Sequence, residues 1–408
     1  MPTPSGRRVV VTGTGVLCAL GSNSAECWSA LREGRSGIAP IQSVEMTGLR
    51  FQNGAEAHGF RAEDHFEASR CDLIDRFAQF AVVAARQAVS EAGLDLSGPA
   101  RARVAVITGT SMGGQASLDR GFVAIYKEGK PRPHPFTIPL TMYNAGASQI
   151  SMDLGITGPA FTISTACASA THAIGQAFWM VRSGAVEAAL CGGSEAPFSP
   201  GILRAWEAMR VVTPDVCRPF SRDRRGLTLG EGGAMLVLEP AERAVARGAK
   251  ILGEVVGFGM SSDAGHVTQP SVGGPTAAMA AALDDAQIEP ALIDYINAHG
   301  TGTSANDATE TRAIRQFFGA HAEKLAISST KSMHGHALGA SGALEAFATL
   351  RALREGVLPP TVSFNEADPK CDLDVIPNVA RNRQAEFALS NSFAFGGLNA
   401  VLAFRRWA

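Results

Sequence analysis

The feature that most constrains this chain is a recurring unit: a short β-branched run, a glycine-rich turn, then an alanine-rich stretch with helical periodicity. The runs 7–12, 103–108, 160–165, 186–191, 234–239, 250–257, 292–298, 325–329 and 398–404 read as strands. Helical spacing marks 24–33, 73–92, 168–183, 275–286, 306–318 and 340–354. Strands alternating with helices require an α/β architecture, its sheets covered by helices. Two segments also look like distant copies of two others. GEGGAMLVLEP (230–240) pairs with FGGLNAVLAFR (395–405), and FTISTACASATHAIGQAF (161–178) with LAISSTKSMHGHALGASGALEAF (325–347). An internal duplication accounts for both. It divides the chain into halves 1–249 and 250–408, with no low-complexity linker between them.

Composition narrows the class. Of 408 residues 44 are glycine and only 18% are charged, where about 7% and about 25% are usual. The chain is too apolar for disorder, and so little charge points to surface buried in an oligomer. Thirty-six basic residues against 38 acidic give a net charge of −2, which argues against a nucleic-acid footprint but leaves room for a local basic patch. The seven cysteines are scattered and form no C-x-x-C, so a reducing, cytoplasmic setting is expected rather than a disulfide framework or zinc site. Arg7 and Arg8 precede an apolar stretch, but Thr12, Gly13, Thr14 and Gly15 interrupt it, which favours a strand and turn over a signal peptide. No run of about 18 apolar residues predicts a membrane span.

Three glycine motifs need weighing. Gly13-x-Gly15 lacks the third glycine of a dinucleotide fingerprint, Cys18 standing in its place; Gly257-x-Gly259 fails likewise at Ser262. Both are expected to be tight structural turns. Gly109-Thr-Ser111-Met-Gly113 is a true G-x-S-x-G after a strand, with Asp307 and His336 following in hydrolase order. That makes a serine hydrolase the rival reading, against which no HGGG-like segment lies upstream.

The strongest local feature is STACASA, which puts Cys167 between a strand and a helix. A helix N-terminus there would stabilise the thiolate and lower the thiol pKa; alone, the context leaves a buried structural cysteine equally open. NAHGTGT (297–303), SSTKSMHGHALGASG (328–342) and NSFAFGGLN (391–399) add His299, Lys331, His334, His336 and a glycine-rich backbone at strand ends, where ligands bind in wound α/β folds. His334-x-His336 has no third ligand at usable spacing, so no catalytic metal is expected.

Taken in this order, these motifs make the chain similar to the β-ketoacyl-acyl-carrier-protein synthases, elongating type II enzymes of the thiolase-fold superfamily. The resemblance runs from RRVVVTGTG to the C-terminal strand and includes RPFSRDRRGLTLGEGGAMLVLE (218–239) and VGFGMSSDA (256–264). It implies a thiolase-like fold of duplicated α-β-α-β-α halves with two mixed sheets. It also implies a decarboxylative Claisen condensation of malonyl-carrier with a cysteine-bound acyl chain, needing neither redox cofactor nor catalytic metal.

By the same resemblance Cys167 is the nucleophile, and the N–H groups of Cys167 and Phe395 form the oxyanion hole. His299 and His336 would hold the malonyl thioester oxygen, while Lys331 orients the network with Asp307, Glu310 or Glu345. Thr301 and Thr303 would bind the pantetheine arm, Phe395 with Phe393 would gate the site, and Met112 would line the acyl pocket. A structural monovalent cation is implied near Asn297, Glu345 and Asn391. The implied partners are acyl- and malonyl-loaded carrier protein and a second subunit, either a copy of the chain or a synthase-like homologue. Arg132, Arg204 and Arg210 are candidate docking charges, because 66–75 is poor in basic residues. A thiolase would need a second cysteine near 391–399, a silent partner would lack Cys167, and an acyl-CoA initiator would show Cys-His-Asn.

Four positions depart from the family pattern: Ala394 replaces a glycine, expected to stiffen the gate, and Leu398, His334 and Gly302 replace the usual residues. MHGHALGASG together with GVLCALG resembles synthases of specialised acyl chains, of nodulation-factor or aryl-polyene type. That makes an unusual acyl chain the alternative to ordinary fatty-acid elongation.

Overall fold

In the computed structural model, which describes residues 6–407, ten strands form the main sheet: β1 (Val9–Cys18), β2 (Val104–Gly109), β3 (Ala160–Ile163), β4 (Ala188–Glu195), β5 (Gly232–Pro240), β6 (Gly253–Ser262), β7 (Ile293–Asn297), β8 (Ala326–Ser328), β9 (Phe387–Ala394) and β10 (Leu398–Arg405). Their spatial order is β3-β2-β4-β5-β1-β6-β10-β9-β7-β8. The second five repeat the order of the first about the junction of β1 with β6. Directions repeat as well. β2 runs parallel to β3 and β4, as β7 does to β8 and β9. The β4–β5–β1 and β9–β10–β6 runs are antiparallel. Both pairs of similar segments occupy matching slots, one as β5 and β10, the other as the β3 and β8 units. The two mixed sheets are thus joined edge to edge, through the pairing of Val9, Val10 and Val11 with Val255, Glu254 and Gly253.

Helices complete a layered body. The ones used below are α1 (Ser24–Glu33), α2 (Arg76–Ala92), α3 (Ala145–Leu154), α4 (Ser169–Arg182), α5 (Pro200–Met209), α6 (Gly273–Ala286), α7 (Ser304–Phe318) and α8 (Ser341–Glu355). α2 and α3 pack on the first half's outer face, and α6 and α7 cover the second half's. α4 and α8 lie between the halves, sharing one core with strands of both. Small residues let these two inner helices approach: a Cβ at Gly342 would stand 2.0 Å from Thr171 Oγ1.

The glycine motifs are strand residues, not turns. β1 runs unbroken through Gly13 and Gly15, with a bulge between Val11 and Gly13. A Cβ at Gly13 would lie 2.1 Å from the Ala88 carbonyl oxygen, and one at Gly15 1.9 Å from that of Ala84. β6 repeats the device: Gly257 and Gly259 would meet the Ala282 and Ala278 carbonyls at 2.3 and 2.2 Å. These glycines bring a helix backbone down onto the strand, and no nucleotide loop exists at either place.

Candidate active site

Each half has a strained elbow between a parallel strand and its inner helix. Ala166 (φ 49°) precedes Cys167 and α4; Leu338 (φ 46°) precedes Gly339 and α8. Left-handed backbone at a residue with a Cβ is costly and clusters at functional sites. In the first half it presents the Cys167 thiol; in the second it follows directly on His336. Cys167, His299 and His336 each place a ligating atom within 4.8 Å of the other two, and all three are buried. The His299 and His336 rings meet edge to face at 5.5 Å, and Phe393 packs against His299 at 6.1 Å.

Burial dominates the electrostatics. It pushes the Cys167 thiol up to about 12, against opposing help from the Lys331 charge and the Phe395 N–H, which donates to the sulfur. The expectation of a helix-lowered thiol pKa is therefore corrected: desolvation outweighs the helix end. His299 and His336 are held well below their ordinary 6.5 by burial first and by Lys331 second, so both rings are neutral. For His336 the tautomer follows from the bonds. Nδ1 accepts the Leu338 N–H at 3.2 Å and lies 2.9 Å from Ser341 Oγ, which leaves Nε2 carrying the proton.

Lys331 is fully buried; its Nζ donates to the His299 carbonyl at 2.6 Å and pairs with Glu345. Burial raises Glu345 to about 7 against that pairing. Glu310 accepts the His299 and Gly300 N–H groups at 2.9 and 2.8 Å and binds Asn391 Nδ2 at 3.3 Å, fixing the His299 loop. Asp307 braces the neighbouring backbone through Phe220 N at 2.8 Å and Gly302 N at 3.2 Å. Thr301 and Thr303 bond to each other at 2.9 Å at the mouth of the cavity that reaches Cys167.

Glu345 Oε2, Asn391 Oδ1 and Ser390 Oγ are buried without a hydrogen-bond partner. Orphaned oxygens of this kind need an explanation. With Asn297 beside them, bonded to Thr330 and the Glu345 carbonyl, this all-oxygen set fits a hard monovalent cation. These residues would hold it, bracing the strand ends that carry the histidines.

Two cavities meet at the thiol. One is lined by Thr301, Thr303, His299, His336, Phe393 and the 266–270 loop; the other by Ser111, Met112, Met209 and Leu338. Cys167, Trp206 and Phe395 line both, and the Trp206 and Phe395 rings stack at 6.4 Å. Sequence reasoning missed Trp206, whose one signal was proline opening the run PGILRAWEAM. It missed the 266–270 loop too, where Val267 accepts the Gly396 N–H at 2.7 Å. Ala394 is extended here (φ −97°), and the left-handed residues that follow it are Gly396 and Gly397; alanine therefore meets no strain in this conformation.

The hydrolase rival fails on geometry. Ser111 Oγ donates to buried Glu195 at 2.7 Å, while Asp307 braces backbone and makes no bond to His336. Nor do His334 and His336 converge. His334 Nε2 bonds Thr330 Oγ1 at 3.0 Å, its Nδ1 is unpartnered, and burial lowers its pKa from 6.5 to about 3. The unfolded imidazole binds a proton below 6.5 and the folded one does not, so acid favours unfolding and this contribution to stability fades as pH falls. Between pH 6.5 and 5 the wild type should lose about 2 kcal/mol more than His334→Gln in urea unfolding. Identical pH dependence would contradict the neutral buried ring.

Comparison with known proteins places this geometry in context. The pattern for "Beta-ketoacyl synthase, N-terminal domain" matches residues 6–244, and that for "Beta-ketoacyl synthase, C-terminal domain" matches 252–365. Nodulation protein E of Rhizobium sp. is 50% identical over 400 residues, covering 98% of this chain and 99% of that protein. The 3-oxoacyl-[acyl-carrier-protein] synthase 2 of Synechocystis sp. is 42% identical over 409 residues, 98% of each. Among solved structures, "The ishigamide ketosynthase/chain length factor" superposes with a TM-score of 0.95 at 37% identity, covering 99% of this chain and 100% of that one.

Proposed function

The chain belongs to the β-ketoacyl synthase family, and we propose that it condenses malonyl-carrier with a specialised acyl chain held on Cys167. The greater identity to nodulation protein E than to synthase 2 favours a dedicated chain over ordinary fatty-acid elongation. The convergence of Cys167, His299 and His336 where the two cavities meet carries the mechanistic reading. Residues 1–249 supply the nucleophile and 250–408 the histidines and lysine.

The acyl carbonyl is attacked by Cys167 sulfur, and the thiol proton leaves with the departing pantetheine thiolate. The Cys167 and Phe395 N–H groups receive the oxyanion. Malonyl thioester then enters past Thr301 and Thr303. Its C–C bond breaks to release CO2, and the enolate oxygen forms against the His299 and His336 N–H donors. The enolate carbon attacks the acyl carbonyl, the bond to Cys167 sulfur breaks, the thiolate takes up a proton from water, and 3-oxoacyl-carrier leaves. Lys331 and Glu310 hold the His299 backbone in place.

Met112 lines the cavity behind the thiol. Met112→Ala should extend the longest accepted primer by about two carbons, into the space the lost Cγ, Sδ and Cε atoms give up, as read by acyl-enzyme mass over a primer series. Unchanged length selectivity would remove Met112 from the pocket wall. A parallel series of saturated and unsaturated primers tests the specialised role, and equal loading across it would favour ordinary elongation.

A second copy of the chain is the expected partner on the β3 edge. This edge strand is half-exposed, Phe161 included, and Phe122, Tyr126, Ile138 and Met152 are exposed nearby in sequence. Large exposed apolar surface and an open sheet edge mark interfaces. Phe161→Glu should convert a dimer to a monomer in light scattering; a wild-type monomer that dimerises only with a synthase-like subunit would identify the heterodimer instead. Arg204 and Arg210 lie on and just beyond the helix carrying Trp206, and Arg132 lies with Arg120 and Lys130 in a surface groove. None of Arg132, Arg204 and Arg210 has an acidic partner among the described residues, which leaves them for the carrier.

A further inference from the structure

Among the described residues outside this site, one pair of thiols faces each other. Cys18 ends β1 and Cys27 sits in the first turns of α1, and their sulfurs stand 3.8 Å apart. A tight turn locks the first in place, with reciprocal Cys18–Gly21 backbone bonds of 3.0 and 3.1 Å. The Asn23 side chain caps α1 through the Ala25 and Glu26 N–H groups and so fixes the second. A surface recess bounded by Leu17, Cys18, Leu20, Gly21, Glu26 and His58 gives a small oxidant a way in. Neither cysteine lines the cavities that meet at Cys167.

We infer that Cys18 and Cys27 form a reversible redox-modification site, closed to a disulfide by hydrogen peroxide. Closing it means bringing the sulfurs from 3.8 Å to about 2.05 Å. The two thiols are set up for different parts. Cys18 lines the recess and Cys27 does not, so Cys18 meets the oxidant first, while Cys27 stands behind it with its S–H on the Gly21 carbonyl at 3.3 Å. Cys18 sulfur attacks the peroxide, the O–O bond breaks, and water leaves a sulfenic acid. Cys27 sulfur then gives up its proton and attacks the Cys18 sulfur; the S–O bond breaks and a second water leaves. Two electrons pass from the dithiol to the peroxide. Cys167, lacking a thiol neighbour and with its pKa raised, reacts more slowly.

The purified full chain, treated with hydrogen peroxide and blocked with an alkylating agent, tests this. Arg8 and Arg32 bound a tryptic peptide that contains Cys18 and Cys27 and no other cysteine. This peptide should become two hydrogens lighter and resist alkylation until dithiothreitol is added. It should form on the order of tenfold faster than any adduct on Cys167, whose raised pKa leaves little thiolate. Cys27→Ser should trap a dimedone-reactive sulfenic acid on Cys18. The inference is overturned if both thiols stay alkylatable at doses that oxidise Cys71 or Cys167, or if Cys27→Ser yields no Cys18 adduct. The wild-type peptide decides the matter even if a serine variant folds poorly, and the result does not depend on the condensation chemistry.

Discussion

Cys167→Ala should abolish acyl-enzyme formation and condensation, a loss on the order of 10⁴-fold or more, while malonyl-carrier still releases CO2. The separation follows from the layout. Of Cys167, Trp206 and Phe395, which line both the cavity behind Met112 and the cavity behind Thr301 and Thr303, only Cys167 is a nucleophile, so only it can hold one acyl group in reach of the other. The His299 and His336 donors belong to β7 and β8 and the segments after them; they are positioned by Glu310, Lys331 and Ser341 rather than by Cys167. Removing the sulfur leaves them in place. Release of labelled CO2, followed beside 3-oxoacyl product, checks the split; condensation retained within tenfold of wild type would remove Cys167 from the chemistry.

His336→Ala should show the converse defect. Loss of one pre-aligned donor to a developing oxyanion costs about 10²–10³ in rate, and that loss should fall on decarboxylation while acyl transfer to Cys167 changes little. pH adds a second signature. In the proposed mechanism the neutral rings are the donors, and burial holds both well below 6.5. The neutral form is lost only as pH falls through those lowered values. Single-turnover decarboxylation in the Cys167→Ala background should therefore stay level from pH 7.5 to 5.5. An inflection near 6.5 would mean that the histidines titrate as in water and that burial does not govern them.

The sequence carries the duplication because each half repeats its strand–turn–helix segments in one order, and those segments occupy matching slots in the sheet. Strand β9 escaped the sequence reading because Ser390, Asn391 and Ser392 interrupt its apolar pattern; all three are buried, Asn391 donating to Glu310 of the His299 network and Ser392 bonding Thr171 of α4. Polar residues there serve the site rather than the sheet. Gly13 and Gly15 looked like a turn because their spacing records a contact with α2, a helix more than sixty residues away. Helices α3 and α5 were missed for a related reason, as each buries only a narrow stripe. Within the site, motif order singled out Cys167, His299, Lys331 and His336, which the structure brings together. It could not show that burial would reverse the sign of the thiol shift, since that depends on how completely both halves close over the sulfur.

The most direct test of the whole account is to incubate the enzyme with acyl-carrier, map the acylated residue by mass spectrometry, and then add malonyl-carrier. One acyl group on Cys167, discharged as a 3-oxoacyl chain two carbons longer with one CO2 released, is the predicted result. An acyl group on Ser111, or a Cys167 adduct that malonyl-carrier fails to discharge, would contradict it.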